Sequence, residues 1–297
     1  MPRRWTTHPA SRRWTTALLC LAALVALACE GGGGGGPTPQ PSSSPRAGLP
    51  DSMAALGDSI TTGFGSCLVL ASCQRNSWST GDGRRVESIY RRLLAENPTI
   101  KGEARNLAAP GARAASLPAQ ATEAVRVDVD YLTVLIGAND ACRGGIDAMT
   151  PVDAFRADLD RALAIVKEKR PKARILVLSI PDLHRLWEVG HTDERAVRAW
   201  RRGICPALLA NATSDAPADV ARRAAFAERI DAYNDQLRAA CRRYGSRCRY
   251  DGGAIHRVRF SLDMVNSLDY FHPDVDGQGR LAEVAWGASG LAGTGRR

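Results

Sequence analysis

Tyr131-Leu132-Thr133-Val134-Leu135-Ile136 is a continuous apolar run that stops at Gly137-Ala138-Asn139-Asp140. A run with no polar alternation suits a strand covered on both faces rather than one with a wet side. Two further segments share this character: Met53-Ala54-Ala55-Leu56, ending at Gly57-Asp58-Ser59, and Ile175-Leu176-Val177-Leu178-Ser179-Ile180. Weaker strand patterns cover Lys101 to Leu107 and Arg247 to Tyr250. Between them lie helical patterns. Val86 to Ala95 carries Ile89, Leu93 and Leu94 at helical spacing and is ended by Asn97-Pro98. Pro151 opens a helix to about Lys169 with Thr150 as its expected cap, and two more run over Ala221 to Tyr244 and Val275 to Trp286. Strands alternating with helices predict an α/β fold, a five-stranded parallel sheet between two helical layers joined by right-handed crossovers.

That architecture places the chemistry, because sites in open α/β sheets form beyond the carboxyl ends of the strands. Ser59 follows the first strand, Gly111 the second and Asn139 the third, so all three are expected at one edge of the sheet. Gly57 lets the chain turn sharply before Ser59, and Ile60-Thr61-Thr62-Gly63 suits a short helical turn whose N–H groups point at an anion. Asp58-Ser59 also suits a plain turn cap. Asn139 can donate its side-chain amide to a developing oxyanion, or it and Asp140 can close an Asx-turn on their own backbone. Gly111 in Ala109-Pro110-Gly111-Ala112 can offer an unobstructed backbone N–H, or serve only as a turn glycine. Asp269 precedes His272 by three residues, a spacing that lets a carboxylate reach Nδ1–H and leaves Nε2 to take a serine proton. Among the other histidines His184, close to Asp182, is the second choice as base, and Asp263 is the second choice as acid.

Gly57-Asp58-Ser59, Gly111, Gly137-Ala138-Asn139-Asp140 and Asp269-x-x-His272, in this order, resemble the SGNH (GDSL-type) hydrolase superfamily. Asn76-Ser77-Trp78-Ser79 and Phe271-His272-Pro273 further resemble its secreted esterase and phospholipase B-like branch. The resemblance implies a flavodoxin-like three-layer sandwich and a Ser–His–Asp hydrolase. It implies Ser59 as nucleophile and oxyanion donor, Gly111 and Asn139 as the other oxyanion donors, His272 as base and Asp269 as its orienter. Ile60 stands where many members have leucine, a conservative departure. No metal or organic cofactor is called for by this chemistry.

The segments outside the sandwich speak to location. Arg3, Arg4, Arg12 and Arg13 precede an apolar run from Ala17 to Ala28 that is too short to span a bilayer. Residues 1–28 therefore read as a signal peptide, and Cys29 directly after it as a lipidated residue. Ordinary secretion with cleavage near Ala28 is the other reading. Residues 29–50, with six consecutive glycines and then Pro37, Pro39, Pro41 and Pro45, cannot bury a core and read as a linker before a hydrolase domain over 51–297. The expected product is exported, either a cell-envelope lipoprotein tethered through Cys29 or a secreted protein. Six further cysteines imply three disulfides, and loop length favours Cys67–Cys73, Cys241–Cys248 and, by remainder, Cys142–Cys205. A metal site is disfavoured because no CxxC pair exists.

The chain has 297 residues, 44% of them apolar, enough for one sizeable core. Its formal charge of +9 falls to +5 once the four leader arginines are set aside, and the remaining basic residues are scattered without interleaved aromatics. That argues against nucleic acid as a partner. A monomer acting on a small-molecule or lipid ester is expected. The function read from these residues is an exported serine carboxylic-ester hydrolase, esterase- or lipase-like, working through an acyl-enzyme. The alternatives are a polysaccharide or cell-wall O-acetyl esterase, and a non-catalytic surface lipoprotein that binds glycan or lipid. The long segment from Leu183 to Asp219 is expected either to wall the acyl pocket or to bury its own apolar face, and Trp78 to be either core or substrate platform.

Overall fold

The computed structural model describes residues 48–291. The expected signal peptide, Cys29 and the linker up to residue 47 lie outside the described residues. Five parallel strands form one sheet: β1 (Met53–Gly57), β2 (Ala104–Asn106), β3 (Tyr131–Leu135), β4 (Arg174–Val177) and β5 (Cys248–Tyr250), in the order β2-β1-β3-β4-β5. This is the flavodoxin-like order, with the reversal of winding between β1 and β3. Every residue of β1 and β3 is buried, which is what their unbroken apolar sequences require. The helices are α1 (Ile89–Glu96), α2 (Leu117–Arg126), α3 (Val152–Lys169), α4 (Leu183–Gly190), α5 (Glu194–Trp200), α6 (Pro217–Tyr244) and α7 (Val275–Ala288). Helices α2 and α6 both pack on α3 as one layer, and α1 packs on α7 in the other. No helix of the described residues is long and apolar enough to cross a membrane.

Element ends moved for local reasons. Ser88 accepts from the Arg91 N–H and starts α1 at Ile89, leaving Val86 buried but outside the helix. Thr150 does not cap α3: Pro151 holds the cap position without a side-chain bond, while the Thr150 N–H donates to the Asp140 carbonyl. Strand β4 ends at Val177 because the Ile180 N–H turns to Asn234 Oδ1 at 2.8 Å. Helix α6 begins at Pro217, whose missing N–H suits a first turn. Helix α2 has no counterpart among the expectations. Its buried face is Leu117, Gln120, Ala121 and Ala124, too small and too polar to announce itself by hydrophobicity.

Trp78 is wholly buried, as core. The 183–219 segment folds as α4, α5 and the single turn Pro206–Leu209, and buries Leu186, Trp200, Leu208 and Leu209 against the body. The cysteines are joined as Cys67–Cys73, Cys142–Cys205 and Cys241–Cys248. The second of these ties the 183–219 segment to the turn that follows β3.

The chain leaving β1 is packed so tightly that residue 57 must be glycine: a Cβ there would overlap the Leu135 carbonyl oxygen and Thr61 Oγ1. Asp58 is then forced inside. One carboxylate oxygen accepts from the Ile60 N–H at 2.9 Å, and the other has no partner among the described residues. Burial pushes this carboxyl up from 3.8 to about 7, against the pull of the Ile60 N–H and of His272. The folded chain therefore keeps a proton that the unfolded chain has lost. This contribution to stability is whole below about pH 4 and disappears as pH rises through about 7, a difference of up to about 4 kcal/mol.

Two outcomes are expected. Asp58→Asn keeps the acceptor for the Ile60 N–H, so urea midpoints between pH 4 and 8 should fall less steeply with rising pH than in the parent; an unchanged slope would mean that Asp58 ionises freely. Opening the 63-residue separation spanned by Cys142–Cys205 with a double serine substitution should cost about 2–4 kcal/mol in the same unfolding measurement.

Candidate active site

The site lies beyond the carboxyl ends of β1 and β3. Its first wall is the turn after β1, where Thr62 N–H returns to the Asp58 carbonyl and Phe64 N–H to the Ser59 carbonyl at 3.1 and 3.0 Å. Side chains from three other elements hold this turn. Gln120 of α2 bonds both polar groups of the Gly57 backbone, at 2.8 and 2.9 Å. Gln278 of α7 accepts from the Trp78 N–H and donates to the Ile60 carbonyl, both at 2.9 Å, with no exposed surface of its own. Asn106 at the end of β2 donates to the Thr61 carbonyl at 2.8 Å. A buried carbonyl or N–H left without such a partner costs about 1–3 kcal/mol, so these amides fix where Ser59 sits.

The second wall is the loop from Val265 to Pro273, closed by an antiparallel bridge between those two residues. Asn266 N–H donates to the His272 carbonyl at 2.8 Å, and Tyr270 N–H to the Asn266 carbonyl at 2.7 Å. Tyr270 takes a left-handed backbone, with φ of 51°. Its carbonyl accepts from Trp200 Nε1 at 3.0 Å, so α5 braces the loop from outside. Asp269 lies inside the loop and is buried. One of its oxygens accepts from the Phe271 and His272 N–H groups, and the other faces His272 Nδ1 at 2.7 Å.

Across the gap, His272 Nε2 stands 2.9 Å from Ser59 Oγ, although 213 residues separate the two in sequence. The imidazole is flanked by Phe64, with ring centroids 4.6 Å apart, and by Phe271 edge-on at 5.2 Å. Carboxylate, imidazole and hydroxyl thus form one unbroken line of hydrogen bonds.

Gly111 and Asn139 form a third part. Gly111 has φ of 77°, which a side chain would strain, although open space surrounds it. Neither residue after β3 closes an Asx-turn. Asn139 Nδ2 donates to the Ala112 carbonyl at 3.0 Å, and Asp140 Oδ2 accepts from the Ala114 N–H at 3.0 Å. Both therefore hold the loop bearing Gly111, and burial pushes Asp140 up to about 6. The backbone N–H groups of Ser59 and Gly111 have no acceptor among the described residues. The second-choice residues are elsewhere: His184 faces Glu188 at 3.6 Å, and Asp263 is exposed and bonded to Ser261.

Leu183 and Leu186 of α4 reach the site's margin, where they line an apolar recess of about 30 Å³ with Ile60 and Phe271. The 183–219 segment is thus a satellite core whose Leu183 and Leu186 adjoin Ile60 and Phe271, the chain neighbours of Ser59 and His272. Gln120, Gln278 and Asn106 were not singled out from sequence. A buried amide carries no distinguishing pattern in a single chain, and Gln278 announces itself only by interrupting the apolar face of α7.

A family model described as the GDSL-like lipase/acylhydrolase family matches residues 55–280. Among curated proteins, the chain is similar to membrane-associated phospholipase B1 of Rattus norvegicus, at 27% identity over 193 residues, and of Homo sapiens, at 30% over 166 residues. These matches take in 53% and 46% of this chain but only 13% and 11% of the relatives' length. Among solved structures, a mutant of an acetyl-xylooligosaccharide esterase from Geobacillus stearothermophilus aligns with a TM-score of 0.52 at 18% identity, covering 83% of this chain and 97% of that one, a likeness of fold alone. The family match extends from within β1 into α7 and so includes both walls of the site; the chain belongs to the GDSL-like lipase/acylhydrolase family of ester hydrolases.

Proposed function

We propose that the protein is an exported serine carboxylic-ester hydrolase acting on acyl lipids or related esters, with Ser59 as nucleophile, His272 as general base and Asp269 as its orienter. The observation that carries this is the relay itself, with 2.7 Å between Asp269 Oδ2 and His272 Nδ1 and 2.9 Å between His272 Nε2 and Ser59 Oγ. A carboxylate on Nδ1 fixes the tautomer whose free Nε2 faces the hydroxyl and steadies the imidazolium that forms.

His272 takes the Ser59 proton as Oγ attacks the ester carbonyl. The tetrahedral oxyanion is held by the N–H groups of Ser59 and Gly111 and by the Asn139 amide, whose second N–H is left over after the bond to Ala112. The proton then passes from His272 to the departing alcohol. Water, deprotonated by the same imidazole, releases the acid from Ser59.

The likeness to phospholipase B1 supports acyl lipids as the substrate class. Export is supported by the three disulfides together with the basic, apolar leader, and a lipid on Cys29 would tether the domain at a membrane.

The test uses p-nitrophenyl acetate, butyrate and palmitate, with phosphatidylcholine and acetylated xylan as natural-type substrates. Ser59→Ala should lower kcat by at least about 10³-fold and Asp269→Asn by on the order of 10²–10⁴-fold. A fluorophosphonate should add to the parent at Ser59 and not to Ser59→Ala. Turnover confined to acetyl esters would replace the lipid reading with a polysaccharide deacetylase. No turnover and no labelling would leave a glycan- or lipid-binding protein. Full activity in Ser59→Ala would remove the proposed nucleophile.

A further inference from the structure

The loop that follows the Ser59 turn is built unlike the rest of the surface. Six consecutive residues, Cys67 to Ser72, are exposed, and four of them are Leu68, Val69, Leu70 and Ala71. The first three expose 79%, 56% and 46% of their surface. A soluble surface carries scattered apolar residues, but a contiguous exposed run is a liability unless something covers it.

The base of the tip is nevertheless fastened. The Cys67–Cys73 disulfide closes its base, and Gly65 N–H donates to the Ala71 carbonyl at 3.1 Å. The buried amides of Asn76 and Asn266 donate to the Ser66 and Gly65 carbonyls at 3.0 and 2.6 Å. Leu68 itself takes a left-handed backbone, φ 67°. Fastening the base reduces the ordering cost that a free loop would meet on binding.

The position links the tip to the site. Gly65, at its root, lies against both Asn266 and His272. From the opposite wall Leu268, 48% exposed, immediately precedes Asp269. Leu68 and Leu268 line one groove of about 690 Å³. Two exposed leucines, one from each wall of the site, thus line a groove that also takes in Gly65 and Asn266, and Gly65 lies beside His272. The groove is mixed in charge, with Arg85 and Arg195 against Asp193, Asp263, Asp274 and Asp276. An excess of carboxylates disfavours an anionic surface and is compatible with a neutral or zwitterionic one.

We infer that the disulfide-clasped Leu68-Val69-Leu70 tip, with Leu268, seats the protein on an electrically neutral lipid–water interface, with the Ser59–His272 edge at that surface. The inference deepens the proposed lipid-ester function and rests on it for its catalytic consequence, but the seating itself does not require hydrolysis. Membrane insertion of three apolar side chains removes their surface from water, as burial in a core would.

The test is co-sedimentation with sucrose-loaded vesicles of pure phosphatidylcholine. It uses the chain from residue 30 onward, which lacks both the apolar leader and Cys29, with Ser59→Ala so that lipid is not consumed. Binding should be insensitive to salt and should fall at least tenfold when Leu68, Val69 and Leu70 are all replaced by serine, with the melting temperature unchanged because the residues are exposed. Val69→Asp alone should weaken binding at least threefold and guards against a folding defect in the triple variant. Parent protein that stays in the supernatant, a triple variant that sediments like the parent, or binding confined to phosphatidylserine vesicles and abolished by salt would overturn the proposal. So would a parent that is a dimer by sedimentation velocity and becomes a monomer in the triple variant without having bound vesicles, since the tip would then be covered by a second copy. If the protein with Ser59 intact shows no turnover in the ester assays, the hydrolase reading fails and the vesicle result still stands.

Discussion

The geometry around Ser59 depends on the hydrogen bonds that arrest the chain as it leaves β1. Gly57 admits no side chain, because the Leu135 carbonyl and Thr61 occupy the space. The turn that follows has few apolar side chains to bury and cannot be held by packing alone. It is held instead by Gln120, Asn106 and Gln278, which come from one helix of each layer and from a neighbouring strand. Each amide answers a backbone group that burial would otherwise leave unpaired. The sheet, both helical layers and the turn are therefore coupled at one place.

The second wall uses a different device. From Val265 to Pro273 the chain folds back on itself around Asp269, whose carboxylate takes two backbone N–H groups before it meets the imidazole. A carboxylate so anchored cannot rotate away, and His272 inherits its orientation. Trp200 extends this support outward through its bond to the Tyr270 carbonyl. The 183–219 segment, fastened by Cys142–Cys205, thus braces both the Asp269 loop and the turn bearing Asn139.

The buried carboxylates near the site differ in the partners they find. Asp269 is surrounded by donors and serves as an acceptor. Asp58 is fully buried with a single N–H partner, and is driven toward its neutral form. Asp140 lies between these cases, spending its oxygen on the loop that carries Gly111. Residues beside the candidate nucleophile and oxyanion donor are thus partly concerned with holding backbone rather than with chemistry.

The parallel sheet was legible in Tyr131–Ile136, Met53–Leu56 and Ile175–Ile180, because strands buried on both faces are written as uninterrupted apolar runs. The order of Ser59, Gly111, Asn139, Asp269 and His272 along the chain was legible too, since each sits where a strand ends or where a short spacing suits a hydrogen bond. Sequence alone did not reveal α2, whose inner face is mostly alanine and glutamine, nor the end of β4, where the Ile180 N–H turns to Asn234, nor that Thr150 is bonded to Asp140 instead of capping α3. It also gave no sign of the amides that hold Gly57, Ile60 and Thr61. Local pattern determines which segments are strands and helices, because periodicity and propensity are properties of neighbours in the chain. Only the tertiary structure decides that Ser59 Oγ and His272 Nε2 stand 2.9 Å apart, because that distance is fixed by hydrogen bonds between groups far apart in sequence.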